Sequence, residues 1–235
     1  MNKNIATISF SKNNILSKLS KHMFGTNLEH IGDAIYRNGI WAEVVENRKF
    51  CGPDKLVWNN GLENDHLDFG IVQPWKGYNA SAKHVMYAHS NSEYIVKGEE
   101  IINRYGSGKQ SQQITIREKS KIQRGIKQKI NIIDSKDEYE FSIYFKGENQ
   151  KVFINIGEIN FTFNANKNWK KIKKTFTFKK SNSLKTLSIS IKSGTIFIAN
   201  CSLMPKNTIF GFRKDITEMI KEWKPSYIRW PGGNF

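Results

Sequence analysis

Two short stretches, about two hundred residues apart, carry the side chains best suited to chemistry on a polar ligand. The first holds Glu29 and His30 between Gly25 and Gly32. The second runs Ile228-Arg229-Trp230-Pro231-Gly232-Gly233-Asn234. A carboxylate such as Glu29 accepts hydrogen bonds from hydroxyl groups like those of a sugar. Trp41, a little further on, could stack on a ring. The glycines let a ligand come close to the backbone. An ordinary strand, with an ion-paired glutamate and a hydrogen-bonded histidine, fits the first stretch as well. A Glu-His pair alone does not decide between them.

Both stretches need strands to hold them. Residues 226–229 read as a short strand, and Pro-Gly-Gly as the permissive loop at its C-terminal edge. The mouth of an α/β barrel is built from such edges. Just upstream, Ile216, Met219, Ile220 and Trp223 follow helical spacing, and Pro225 stops the helix. Residues 23–43 read as a β run, residues 1–20 as one or two edge strands, and 42–48 as a short helical turn.

Between the two stretches the pattern changes. Short strands are predicted at 83–89, 112–117, 125–133, 138–145, 152–156, 159–163, 172–178, 184–191 and 195–199. Phe141, Ile143 and Phe145, and again Leu187, Ile189 and Ile191, alternate with polar residues. That is the pattern of an antiparallel sandwich with one wet face per sheet. Residues 49–82 read as irregular, with Trp58, Trp75 and Tyr78 among Asn and Gly. Such rings are either platforms for the apolar face of a sugar or plugs beneath a long loop.

The 235 residues carry 37 Lys and Arg against 21 Asp and Glu, a net charge of +16. An anionic partner would suit it. The lysines alternate with strand apolars, however, as on a solvated sheet face, so nucleic acid is an outlying reading. The densest run is Lys170, Lys171, Lys173 and Lys174. Cys51 and Cys201 fit no metal or redox spacing and read as separate thiols. No apolar run suggests a membrane span, and no continuous apolar segment near the start suggests a secretory signal, which makes the cytoplasm the default location.

The segment FGTNLEHIGDAIYRNGIWAEVVENRKF (24–50) resembles the opening of the α-L-arabinofuranosidases of glycoside hydrolase family 51. SLMPKNTIFGFRKDITEMIKEWKPSYIRWPGGNF (202–235) resembles the segment entering that family's second barrel strand. The region between them is similar to the carbohydrate-binding-module-like sandwich that many members carry. This implies an α/β plus all-β fold, in which the opening strands of an incomplete (β/α)8 barrel are interrupted by an antiparallel, jelly-roll-like β-sandwich. The expected division is 1–48 for the start of the barrel, 49–204 for the insert, and 205–235 for a helix and the second barrel strand.

The resemblance further implies that Glu29 hydrogen-bonds a bound arabinofuranose. It implies that Arg229 lies beside the nucleophile and that Asn234 binds sugar hydroxyls. A guanidinium is a permanently charged fork able to orient a carboxylate. The family's retaining hydrolysis needs two carboxylates about 5–5.5 Å apart and neither metal nor cofactor. No position here matches either catalytic glutamate, and both are expected beyond Phe235. The chain therefore reads as an N-terminal fragment, inactive by itself, of a glycosidase acting on arabinan or arabinoxylan. Its uncovered barrel strands would expose Met219, Ile228 and Trp230. A non-catalytic carbohydrate-binding protein, working through the sandwich with Trp58, Trp75 or Tyr78, is the alternative.

Overall fold

A computed structural model of the chain describes residues 6–9, 12, 17–29, 32–36, 39–50, 70–81, 83–91, 110–179 and 182–230. Two five-stranded antiparallel sheets dominate it. The first has the order β2-β5-β10-β7-β8. Its strands are β2 (Lys76–Tyr78), β5 (Arg124–Asn131), β7 (Lys151–Ile156), β8 (Ile159–Asn164) and β10 (Leu184–Ile191). The second has the order β3-β4-β11-β6-β9. Its strands are β3 (Val85–Asn91), β4 (Gln110–Ile116), β6 (Glu138–Gly147), β9 (Lys170–Thr177) and β11 (Gly194–Pro205). Only β3–β4 and β7–β8 join consecutive neighbours within a sheet. Every other connection among these strands crosses to the opposite sheet, which makes the sandwich jelly-roll-like.

Alternation explains the layers. Residues i and i+2 of a strand share a face, so Tyr139, Phe141, Ile143 and Phe145 of β6 point inward and are fully buried. Leu187, Ile189 and Ile191 of β10 and Ile154 and Ile156 of β7 meet them in one continuous core. All nine strands expected from the sequence in 83–199 form, with ends shifted by a few residues. β11 runs to Pro205, well past the expected end at 199, through a bulge between Ala199 and Ser202.

Two inward glutamines tie loops into the sandwich. Gln112 Nε2 donates to the carbonyls of Gly70 (2.8 Å) and Ala88 (3.1 Å), and its Oε1 accepts from Val72 N–H (3.2 Å). Gln128 holds the backbone of Glu46 from both sides, at 2.8 and 2.9 Å. The turn at 45–49 is thereby drawn into the sandwich, and Val44, Val45 and Phe50 join its core. The core thus reaches upstream of the boundary expected at residue 49. Residues 42–44 run extended along β11 instead of forming a helical turn, because the edge of β11 past Ile198 has no β4 residue beside it. Val44 N–H donates to Leu203 O (3.1 Å), and Cys201 N–H donates to Arg48 O (2.8 Å).

Outside the sandwich lie short elements. β1 (Thr26–Asn27) pairs in parallel with β14 (Ile228–Arg229). α1 spans Gly32–Ile35, and a hairpin joins β12 (Thr208–Ile209) to β13 (Phe212–Arg213). α2 (Lys214–Trp223) ends with Lys224 in the left-handed region at φ 49°. The expected strand through Glu29 is only two residues long and stops at Asn27, and α1 begins at Gly32. The described residues within 1–20 form no strand. Among the described residues no closed barrel forms, and β1–β14 is the parallel pair. No described helix is long and apolar enough to cross a membrane.

Candidate functional site

The parallel ladder between β1 and β14 joins the two stretches. Thr26 pairs with Ile228 and Asn27 with Arg229. Thr26 N–H donates to Tyr227 O (3.1 Å), Leu28 N–H to Arg229 O (3.0 Å), and Ser226 N–H to Phe24 O (2.9 Å). Adjacent strands lie about 4.8 Å apart. Arg229 is level with Asn27, and Glu29 follows two residues beyond the end of the ladder. Glu29 is half-buried and Arg229 is exposed. A carboxylate can accept from, and a guanidinium donate to, a hydroxylated ligand.

Gly25 has a specific role beside this ladder. A Cβ there would lie 2.2–2.5 Å from ring atoms of Tyr227. The space the sequence offered to a ligand is filled by a ring of the partner strand. Asn234, Trp58 and Cys51 lie outside the described residues. Trp41 is half-buried, bridges to Phe212 and meets its ring edge-on at 6.1 Å. It thus braces the hairpin that leads into α2. Trp75 is the plug of the two readings. It is 0% exposed and packs on Phe50 at 5.1 Å, so it offers no face to a sugar. Tyr78 is half-buried on β2, in register with Gly125.

The residue most tightly built into the junction is Glu43, which the sequence reading did not single out. It is only 8% exposed. Its Oε1 accepts from Leu203 N–H (2.8 Å) and Val45 N–H (3.1 Å), and its Oε2 from Ser202 Oγ (2.5 Å). Arg48 Nε stands 3.6 Å from Oε2. Burial pushes the carboxyl upward, against the opposing pull of Ser202, Leu203 and Arg48. Burial likewise raises the Cys201 thiol well above its ordinary range, with Glu43 adding to the effect. A signal existed in the sequence: one charge inside the apolar run Ala42-Glu43-Val44-Val45.

The lysine run 170–174 lies on β9, an edge strand where lysines discourage further pairing. Lys173 bonds Glu140 at 2.8 Å. Among the described residues no group of three His, Cys, Asp or Glu side chains could hold a metal.

The architecture is that of an antiparallel two-sheet sandwich, and solved sandwich structures align with it weakly. One such structure, the xylan-binding CBM22-1 domain of Paenibacillus barcinonensis Xyn10C, is 13% identical and gives a TM-score of 0.42 over 60% of this chain and 90% of its own. TmCBM61, in complex with beta-1,4-galactotriose, gives 0.42 at 12% identity over 70% and 99%. In sequence, the chain is 24% identical over 243 residues to Alpha-L-arabinofuranosidase 2 of Arabidopsis thaliana. That match takes in 98% of this chain and 34% of the relative, so the chain spans about a third of the relative's length. No protein-family model matches the sequence.

Proposed function

We propose that the chain recognises arabinofuranosyl groups of a plant-type polysaccharide, as the sugar-positioning part of a retaining α-L-arabinofuranosidase. On this reading β1 and β14 are opening strands of a catalytic (β/α)8 barrel. Glu29 and Asn234 contact the sugar, and Arg229 orients a carboxylate. The observation that carries the reading is the β1–β14 ladder. It sets side by side two motifs separated in sequence by the whole sandwich. The distant arabinofuranosidase likeness supports it. No glutamate of the chain matches the family's acid/base or nucleophile, so this polypeptide is expected to bind without cleaving.

The test is titration of the isotope-labelled chain with an arabinofuranosyl oligosaccharide, followed by NMR. Shifts should cluster at residues 26–29 and 226–229 and disappear in Glu29→Ala. An unperturbed spectrum sinks the proposal. Release of aryl alcohol from an aryl arabinofuranoside, above the spontaneous rate, sinks the non-cleaving part.

The second reading is carbohydrate binding by the sandwich alone. It is favoured by the outer face of the first sheet, where Phe153 and Tyr78 sit among Asn, Ser and Thr side chains.

A further inference from the structure

The two sheets of the sandwich differ in charge. The strands β2, β5, β7, β8 and β10 contain no Asp or Glu. Register places Lys76, Lys127 and Lys129 on the outward side of this sheet, level with Ser188 and Thr186. Lys151 lies on the same side at the start of β7, and Lys192 follows β10 in the same alternation. All five are exposed, and among the described residues none has an acidic partner. The second sheet is different: its Glu138 and Glu140 are bonded by Lys206 and Lys173, each at 2.8 Å. Five lysines without an acidic partner among the described residues thus gather on one face.

Near one end of that face Lys151, Phe153, Lys192 and Ser193 line a shallow cleft. The ammonium groups of Lys151 and Lys192 both lie over the Phe153 ring, 5.7 and 5.5 Å from its centre, so a ligand packing on the ring would meet both cations. Thr162 and Ser190 flank Phe153 in register on either side. Beyond them Asn155 Nδ2 reaches Ser188 Oγ at 3.2 Å. An aromatic ring, two cations and the accessible hydroxyl and amide groups of Thr162 and Asn155 answer three features of one ligand. These are the C–H face of a sugar ring, a carboxylate and neighbouring hydroxyls.

We infer that the outer face of the first sheet binds an acidic polysaccharide, with a uronate residue stacked on Phe153 and its carboxylate held between Lys151 and Lys192. This rests on the second reading above, carbohydrate binding by the sandwich, and adds the class of ligand. Nucleic acid would find the same charge. The described part of this face, however, shows only Phe153 and Tyr78 for stacking, and its accessible Asn and Thr groups suit hydroxyls.

The experiment is affinity electrophoresis of the 235-residue chain through gels containing polygalacturonate or neutral arabinan. Polygalacturonate should retard it more than arabinan does. Lys151→Gln combined with Lys192→Gln should weaken that binding roughly fivefold or more, the size expected of two exposed ion pairs. A matched pair, Lys173→Gln with Lys206→Gln, removes the same charge from the second sheet and should leave binding unchanged. Phe153→Ala should weaken it with the charge intact. Equal weakening by both lysine pairs would mean diffuse attraction and overturn the inference. Equal retention by both polymers, indifferent to the lysines, overturns it but leaves carbohydrate binding standing. No retention by either polymer overturns both. Displacement by a short oligonucleotide at lower concentration than by oligogalacturonate also overturns it, in favour of nucleic acid.

Discussion

Replacing Glu43 by alanine should unfasten the sandwich from the segments that precede and follow it. The carboxylate accepts from three donors, Leu203 N–H, Val45 N–H and Ser202 Oγ–H. Ser202 can rotate toward another acceptor, but the two backbone donors are fixed in a buried place. A buried donor left without an acceptor costs about 1–3 kcal/mol. Removing one partner of a buried charge pair costs about 3–5 kcal/mol. The Arg48 partner, at 3.6 Å, is partly open to water, and removing the carboxylate also relieves its own burial penalty, so both pull the figure down. The expected loss is about 3 kcal/mol. For a chain of this length, 1 kcal/mol moves the melting temperature by about 2–4 °C, so Glu43→Ala should melt roughly 6–12 °C lower. Calorimetry at neutral pH reads this directly. A variant within 2 °C of the wild type would refute the reasoning, because the three hydrogen bonds would then contribute nothing net.

Glu43→Gln should lower stability less than Glu43→Ala, since the amide oxygen still accepts from the two backbone donors. It should also reveal a pH dependence. Burial raises the folded-state carboxyl above its ordinary value. Between about pH 4, where the unfolded chain releases this proton, and the raised folded value, the folded chain holds more protons. Stability from this group therefore falls as pH rises. The wild-type minus Glu43→Gln difference in unfolding free energy should decline from pH 4 upward, and a flat difference would count against it. Trp75→Ala should destabilise the chain by about 3–5 kcal/mol, as for a large buried ring. A platform role predicts the opposite, unchanged urea stability with weakened glycan binding.

The strands were legible because each inner face is lined by alternating apolar residues. Phe141, Ile143 and Phe145 announce their strand by period alone. Topology was not legible, since almost every connection crosses the sandwich and no local signal records which strand lies opposite. Glu29 was assigned to a strand because its neighbours have β character. The ladder with β14 covers only Thr26 and Asn27, and a local window does not contain which residues of that run find a partner. Trp75 looked like a loop aromatic because its neighbours are polar, and the packing partner Phe50 lies 25 positions earlier. The lysines show the same limit from the other side. Linear density pointed to 170–174, whereas the uncompensated cluster is assembled from β2, β5, β7 and the end of β10.

The geometry of the junction also explains how so long an insert can sit between two strands that must pair. Ala42 N–H donates to Gly211 O at 3.0 Å, and Arg213 N–H donates to Ile40 O at 2.8 Å. The chain entering the sandwich and the chain leaving it thus run side by side, bridged again at Trp41 and Phe212. Closing a loop of this length costs entropy that grows only with the logarithm of its length. Here the sandwich's own core and the Glu43 clasp hold the entering and leaving chains together. The parallel ladder then joins ends that are already close, and Glu29 and Arg229 are brought to one edge without the ladder having to hold the sandwich together. If the proposed function holds, loss of the clasp should weaken sugar binding at Glu29 through the spacing of the two strands, as read by the NMR titration, even though Glu43 belongs to neither of them.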